Sequence, residues 1–373
     1  MVKHVASSDP QGHPAPQTKR AKTTASHPAS RWNSRDWKKK KDLNNYVALM
    51  ESKLNAKDLV VKKVIRISSR DGPKRIPFEI RVLKSLPDCN RLAKHIFYEP
   101  SSPDYDHGTA IFPHFPLGDV VDWRKNNFVN KREKPVPEAY IWRMFVQIAQ
   151  AIAFIQNEIG PRRDTRTPLI HRDIKPRNIL VAENGSTYPS FKLIDFGLAT
   201  KYSLGKARRP SRCGTFEWQP PENPFINRKA ADVWALGACV HYVALGKAPL
   251  GDVDQYTNER IGMDGLHPRS AQEYSTPRRY YAANVPREVT PIDLSERQQQ
   301  RRGMVSDKDG ELQYNHQYGT ELSKWMRQCL RTTPSARPTV EKLVNNMVPE
   351  AYTRLKVFGG QTALIDMEVK FGP

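Results

Sequence analysis

One polar stretch near the middle of the chain decides the fold, and it reads His171-Arg172-Asp173-Ile174-Lys175-Pro176-Arg177-Asn178-Ile179-Leu180. A second, shorter motif follows it along the chain, Asp195-Phe196-Gly197. Transfer of a phosphoryl group needs a carboxylate that orients the acceptor, oxygen ligands for Mg²⁺ and positive charge near the transferred phosphate. These groups are all present in the two motifs, as Asp173, Lys175, Asn178 and Asp195. The two motifs therefore predict a site for phosphoryl transfer.

The same residues resemble the catalytic loop and the metal-binding motif of eukaryotic protein kinases, His-Arg-Asp-x-x-x-x-Asn followed by Asp-Phe-Gly. The resemblance implies that Asp173 orients the substrate hydroxyl as a base and that Asn178 and Asp195 bind Mg²⁺. Lys175 is similar to the lysine that contacts the γ-phosphate in the Ser/Thr-specific branch of the family. The plainer alternative, a polar turn between a helix and a strand, leaves these polar side chains clustered without a reason.

Three segments further along the chain are similar to other parts of a kinase. Gly214 to Glu222 resembles the end of the activation segment, with Pro220 where the family usually has alanine, and the resemblance implies that Thr215 bonds the catalytic aspartate and lysine. Asp232 is similar to the aspartate that anchors the catalytic loop from a buried helix. Arg337 is similar to the late arginine that pairs with Glu222. These last three residues are expected to be structural.

The basic segment from Lys201 to Arg212 contains Ser203 and Ser211. A phosphate on either serine would meet nearby guanidinium groups and Arg172, which predicts activation by phosphorylation. A solvated basic loop with no regulatory role is the alternative.

Before the catalytic loop the resemblance is weaker. The run Leu59-Val60-Val61-Lys62-Lys63-Val64 aligns with the family's Val-Ala-Ile-Lys strand, and this alignment favours Lys62 as the lysine that holds the α- and β-phosphates. Glu79, at the start of an amphipathic stretch, fits its carboxylate partner. Lys63 is the competing choice, because a slip of one residue reverses which side chain points inward.

The phosphate-covering loop of the family, Gly-x-Gly-x-x-Gly, has no counterpart, since no glycine occurs from His13 to Asp71. A residue with a Cβ atom restricts positive φ and the close approach of backbone amides to a phosphate. Residues 42–58 are long enough for a short hairpin, although Val47 to Leu54 would also fit a helix. The missing glycines favour a pseudokinase scaffold as the alternative function.

The chain has 373 residues with a net charge of +21, and residues 1–41 are expected to form a disordered basic tail. That charge suggests anionic partners, but no nucleic-acid motif accompanies it, so nucleic acid is not an expected partner. The four cysteines are widely spaced, which argues against a disulfide framework or a zinc site. We expect a reducing compartment, the cytoplasm or the nucleus, and no membrane segment. Two short basic clusters in the tail fit nuclear-import signals, and a solvated basic tail is the alternative.

The resemblance implies an α+β fold with two lobes, a small β-rich N-lobe and a larger helical C-lobe. We expect the kinase-like domain to span residues 42–347, with the N-lobe at about 42–113 and the C-lobe at about 118–347. Residues 251–318 read as a loop insertion with one helix at most, and residues 348–373 as a C-terminal extension. The implied activity is transfer of the γ-phosphate of ATP, with Mg²⁺, to Ser or Thr of a protein substrate; the oligomeric state is left open.

Overall fold

A computed structural model of the chain describes residues 32–68, 71–130, 135–207, 213–222, 228–265, 276–308 and 311–372. The predictions made for residues 1–31 and for Ser211 lie outside these ranges. The described residues form a small lobe built on a β-sheet and a larger lobe built mainly of helices. This arrangement confirms the predicted α+β, two-lobed fold.

The N-lobe is a five-stranded antiparallel sheet with one helix. Its elements are β1 (Trp37–Asn44), β2 (Val47–Ser52), β3 (Leu59–Arg66), α1 (Phe78–Ser85), β4 (Phe97–Glu99) and β5 (His107–Pro113). The strands lie in the order β1-β2-β3-β5-β4. One face of the sheet packs a small core of its own around Trp37, Met50, Val60 and Ile111. Val47 to Ser52 is therefore a strand and not the alternative helix.

Strand β1 begins at Trp37, five residues before the boundary that the sequence predicted for the domain. Trp37 is only 6% exposed, whereas every later residue of β1 is exposed. Two of its lysines, Lys38 and Lys40, form ion pairs with Glu51 of β2 at 2.9 and 2.6 Å. The prediction was wrong here because a lysine run without alternating apolar residues gives no strand signal.

The C-lobe surrounds two buried helices, α3 and α5. Its elements are α2 (Val120–Arg124), α3 (Glu138–Ile155), β6 (Leu169–Ile170), β7 (Ile179–Ala182), β8 (Ser190–Leu193), β9 (Thr200–Lys201), α4 (Leu204–Ala207), α5 (Lys229–Leu245), α6 (Val253–Asp264), α7 (Pro277–Ala283), α8 (Glu296–Arg301), β10 (Ser306–Lys308), β11 (Glu311–Gln313), α9 (Thr320–Cys329), α10 (Val340–Lys342) and α11 (Val348–Gly359). Three antiparallel strand pairs join β6 with β9, β7 with β8 and β10 with β11. The strand pair β7–β8 and the turn before β7 carry the catalytic loop to the face of this lobe that meets the sheet.

The region 251–318 is more ordered than the sequence predicted, with three helices and a short hairpin in its described part. Side chains that bind backbone groups hold it together. The amide of Gln299 donates to the carbonyls of Leu294 and Asn315. The hydroxyl of Tyr281 donates to the backbone carbonyl of Gly265. Such bonds need no apolar periodicity, which explains why the sequence read as a loop.

Residues 360–372 follow α11 and pack against α3 and the segment around Arg91. We call them the C-terminal strap. Buried side chains of the C-lobe donate hydrogen bonds to its backbone; Arg143 reaches the carbonyls of Ala363 and Ile365 at 2.7 and 2.9 Å. Arg91, just before β4, donates to the carbonyls of Asp366 and Glu368 at 2.8 Å each. The strap therefore belongs to the core of the domain and ties the segment between α1 and β4 to the C-lobe.

Replacing Arg143 with methionine is expected to lower the free energy of unfolding by about 3 kcal/mol or more, because the carbonyl oxygens of Pro189, Ala363 and Ile365 lose their donor. The guanidinium is fully buried, and this burial lowers its pKa to about 10. Urea denaturation followed by tryptophan fluorescence measures the change. Arg354→Met is the control, since the side chains of Arg354 and its partner Glu321 are 42% and 33% exposed, and ion pairs open to solvent contribute about 0–1 kcal/mol. Equal urea midpoints for the two variants would contradict the role given to Arg143.

Candidate active site

The two lobes enclose a cleft of about 760 Å³. Its sheet side is formed by residues of β1, β2 and β3, and its floor by residues around the catalytic loop. The lining includes Lys63, Glu79, Lys175, Asn178 and Asp195. The cleft therefore brings together four predicted site residues and Lys63, the lysine that the sequence offered as the alternative to Lys62. The four are Glu79, Lys175, Asn178 and Asp195.

Lys63, not Lys62, is the lysine of this site. The Nζ atom of Lys63 lies 2.8 Å from both carboxylate oxygens of Glu79 and 3.2 Å from Oδ1 of Asp195. Along β3, Lys62 lies opposite Ile111 and Ala48, on the sheet face that packs around Trp37. Side chains alternate along a strand, so Lys63 points into the cleft with Val61. The prediction of Lys62 was wrong by one residue because an unbroken apolar and lysine run does not show which face is buried.

The charges of Lys63 and Asp195 support each other. Burial opposes the charge on Lys63, but the carboxylates of Glu79 and Asp195 outweigh it and raise the pKa of the ammonium above its ordinary value. Burial likewise opposes the charge on Asp195, and the attraction of Lys63 outweighs it and lowers the pKa of that carboxyl. Both groups are therefore charged at neutral pH, as a site for a nucleotide phosphate and a cation requires.

Asp173 is held from two sides by the residues that the sequence placed near it. Its Oδ1 accepts hydrogen bonds from the backbone N–H of Thr215 at 3.0 Å and from the hydroxyl of Thr215 at 2.8 Å. Its Oδ2 lies 2.9 Å from Nζ of Lys175, which also donates to the Thr215 hydroxyl at 2.8 Å. The carboxylate is thus fixed in one orientation beside a positive charge, in contact with the cleft-lining residues Lys175 and Asn178.

Gly214 makes the approach of Thr215 possible, a role that the sequence did not reveal. Its φ is +88°, and a Cβ atom there would lie 2.3 Å from the carbonyl oxygen of Arg172. A side chain at this position would therefore push the segment away from Asp173.

Asn178 and Asp195 are arranged as a pair of oxygen donors facing the cleft. The Nδ2 of Asn178 donates to the backbone carbonyl of Asp173 at 2.7 Å and to its Oδ2 at 3.0 Å. Both bonds use the amide nitrogen, so the amide oxygen is directed away from Asp173. Asp195 has a φ of 65°, a left-handed conformation that turns its carboxylate back toward Lys63. Carboxylate and amide oxygens are the ligands that Mg²⁺ prefers, so these residues fit that cation.

A buried aspartate holds the backbone at the start of the catalytic loop. Asp232, at the start of α5, accepts the backbone N–H groups of His171 and Arg172 at 2.9 and 3.0 Å. Burial raises the pKa of Asp232, although these two N–H bonds act in the opposite direction.

Elsewhere in the C-lobe, Arg337 and Glu222 form a two-bond pair at 2.7 and 2.8 Å. The structural roles predicted for Asp232, Glu222 and Arg337 agree with these contacts.

The opening of the cleft carries a charge pair that the sequence did not single out. Asp119 caps the start of α2 through the N–H groups of Val121 and Asp122, and its Oδ2 lies 3.1 Å from a guanidinium nitrogen of Arg177. Phe112 and His114 of the segment between the lobes line the same cleft. This end of the cleft therefore combines aromatic and apolar surface with a polar rim.

Comparison with known proteins defines the family. Residues 46–348 match the family Pkinase, the protein kinase domain, and the chain belongs to that family. It is 34% identical over 110 residues to sperm motility kinase Z of Mus musculus, covering 28% of this chain and 19% of that protein. It is 27% identical over 155 residues to mitogen-activated protein kinase kinase 2 of Arabidopsis thaliana, covering 40% of this chain and 38% of that protein.

A further relative is the dual specificity mitogen-activated protein kinase kinase hemipterous of Drosophila melanogaster, 26% identical over 209 residues. That match covers 55% of this chain and 16% of the relative. The chain therefore spans less than two fifths of the length of the curated relatives it matches. The family match confirms the resemblance to eukaryotic protein kinases.

Proposed function

We propose that this protein is a serine/threonine kinase that transfers the γ-phosphate of ATP, with Mg²⁺, to a hydroxyl of a protein substrate. The observation that carries the proposal is the contact of Lys175 and Thr215 with Asp173. This arrangement fixes the carboxylate of Asp173 beside the ammonium of Lys175. An acceptor hydroxyl and a γ-phosphate would meet at this place. Arrangements of this kind serve phosphoryl transfer, whose catalysis is mainly positioning and electrostatic stabilisation.

Each residue has a role in this reaction. Asp173 accepts the hydrogen bond of the substrate hydroxyl and orients its oxygen toward the γ-phosphorus. Lys63, held by Glu79, binds the α- and β-phosphates, and Lys175 offsets the charge of the γ-phosphate. Asn178 and Asp195 would hold Mg²⁺, which would supply positive charge to the phosphate oxygens. As the new P–O bond forms, the hydroxyl proton passes to Asp173, the bond from the γ-phosphorus to the bridging oxygen breaks and ADP leaves.

A pseudokinase scaffold is the second candidate, favoured by the glycine-free turn between β1 and β2. In this case the cleft would bind a partner or a nucleotide without turnover. The charged Lys63–Asp195 pair and the ordered Asp173 argue for catalysis instead.

The expected partner is a protein with a Ser or Thr acceptor. In the described part of the chain no helix is both long and apolar enough to cross a membrane. The four cysteines form no disulfide bond among the described residues, and three of them are buried. These thiols support the proposal of a reducing compartment, the cytoplasm or the nucleus.

The test of the proposed function is transfer of labelled phosphate from ATP with Mg²⁺ to generic protein acceptors, followed by phosphoamino acid analysis. We expect label on serine and threonine and none when EDTA removes the cation. Binding of ATP without transfer would support the scaffold instead. Label on tyrosine alone would overturn the proposed specificity.

A further inference from the structure

The turn between β1 and β2 contains no glycine, and the residues on either side of it, Asn44 and Val47, line the cleft. It consists of Asn45 and Tyr46, and the Oδ1 of Asn44 accepts the backbone N–H of Tyr46 at 2.9 Å. The strands pair up to Asn44 and Val47, so the hairpin is tight. Because each residue of this turn carries a Cβ atom, its backbone amides are less able to approach a phosphate closely. On this side a charged side chain is therefore better suited than the backbone to contact a phosphate.

An irregularity in β1 turns one lysine toward the cleft. The pairing with β2 shifts register between Lys39 and Lys41, so that Lys39 lies opposite Met50 and Lys41 opposite Leu49. Met50 belongs to the small core around Trp37, whereas Leu49 lies opposite Val61, which lines the cleft. Lys41 therefore shares the face of Val61 and Lys63, and it lines the cleft itself.

The three neighbouring lysines are occupied elsewhere. Lys38 and Lys40 pair with Glu51, and Lys39 pairs with Asp42 at 2.8 Å. Among the described residues no ion pair involves Lys41. Of the four consecutive lysines, Lys41 is thus the one that lines the cleft, and no carboxylate among the described residues occupies its ammonium.

We propose that Lys41 binds the phosphate groups of the nucleotide and that its ammonium replaces the backbone amides of a glycine-rich loop. This inference rests on the proposed function, because it names a further binding residue for the same nucleotide. A charge-assisted hydrogen bond from an ammonium to a phosphate oxygen is stronger than a neutral one and does not need close approach of the backbone. In the β1–β2 hairpin a lysine side chain therefore binds phosphate in place of backbone amides.

The test compares Lys41→Gln with Lys39→Gln, a matched control on the same strand and the opposite face. Calorimetry with Mg-ATP and with adenosine gives the dissociation constants. For K41Q we expect about tenfold weaker binding of Mg-ATP, the effect of losing one charged hydrogen bond, and no change for adenosine. K39Q should bind both ligands within twofold of the wild type, and K41R should restore most of the affinity for Mg-ATP.

Two results would overturn the inference. Equal affinity of K41Q and wild type for Mg-ATP would show that Lys41 does not contact the phosphates. An equal loss for Mg-ATP and adenosine would show that the substitution disturbs the hairpin and not a phosphate contact. A wild-type protein that binds no Mg-ATP at all would instead overturn the proposed function, and this inference with it.

Discussion

Replacing Asp173 with asparagine is expected to lower the rate of phosphoryl transfer by about 10²–10⁴-fold while leaving the affinity for Mg-ATP nearly unchanged. The amide oxygen can still accept from the backbone and hydroxyl of Thr215, but the amide nitrogen cannot accept from Lys175 or take the proton of the substrate hydroxyl. Asp173 is also not among the residues that line the nucleotide cleft. Single-turnover transfer and calorimetric binding measure the two effects separately.

Asp195→Asn is the comparison for this prediction, since Asp195 faces the cleft and contacts Lys63. Loss of its charge should weaken the binding of Mg-ATP as well as the transfer. If the two variants bound Mg-ATP equally, the separate roles given to Asp173 and Asp195 would be wrong. Normal transfer by D173N would remove the basis of the proposed mechanism.

Replacing Lys63 with methionine is expected to lower phosphoryl transfer by about 100-fold or more. The substitution removes the ammonium that lies 2.8 Å from Glu79 and 3.2 Å from Asp195, and it leaves two carboxylates facing each other in a partly buried cleft. A loss of this size is typical when one preorganised electrostatic contact of an active site is removed. Transfer assays at saturating ATP measure it.

Lys62→Met is the matched control, one residue away on the same strand and on the other face of the sheet. It should keep activity within about twofold of the wild type, because Lys62 makes no contact with Glu79 or Asp195 in the structure. The reverse outcome, with K62M inactive and K63M active, would show that β3 has the opposite register in the active protein.

The catalytic loop could be predicted because its residues are close together in sequence. Asp173, Lys175 and Asn178 lie within six positions, and Asp195 follows after one strand pair, so their types and spacing already define the chemistry. Helix α3 could be predicted for a similar reason, since its apolar residues recur with the helical period. In both cases the information that determines the structure is local.

The N-lobe could not be predicted to the same depth because its decisive contacts are not local. The choice between Lys62 and Lys63 depends on which face of β3 meets the cleft, and Val60, Val61, Lys62 and Lys63 show no alternation of polar and apolar residues. The orientation of Lys41 depends on a register shift against β2, which no single strand sequence shows. Gly214 likewise gains its role only from the position of Arg172, more than forty residues earlier.

The C-terminal strap has a consequence for how the chain folds. Arg91 and Arg143 are buried, yet their partners in the strap lie 220 to 277 residues later in the chain. Until those partners arrive, both guanidinium groups must stay in water, and the back of the C-lobe cannot close around them. Closing loops of this length slows folding, because the entropy is lost before the contacts form. The two lobes are therefore expected to complete their folding together and late, and not one after the other from the N-terminus.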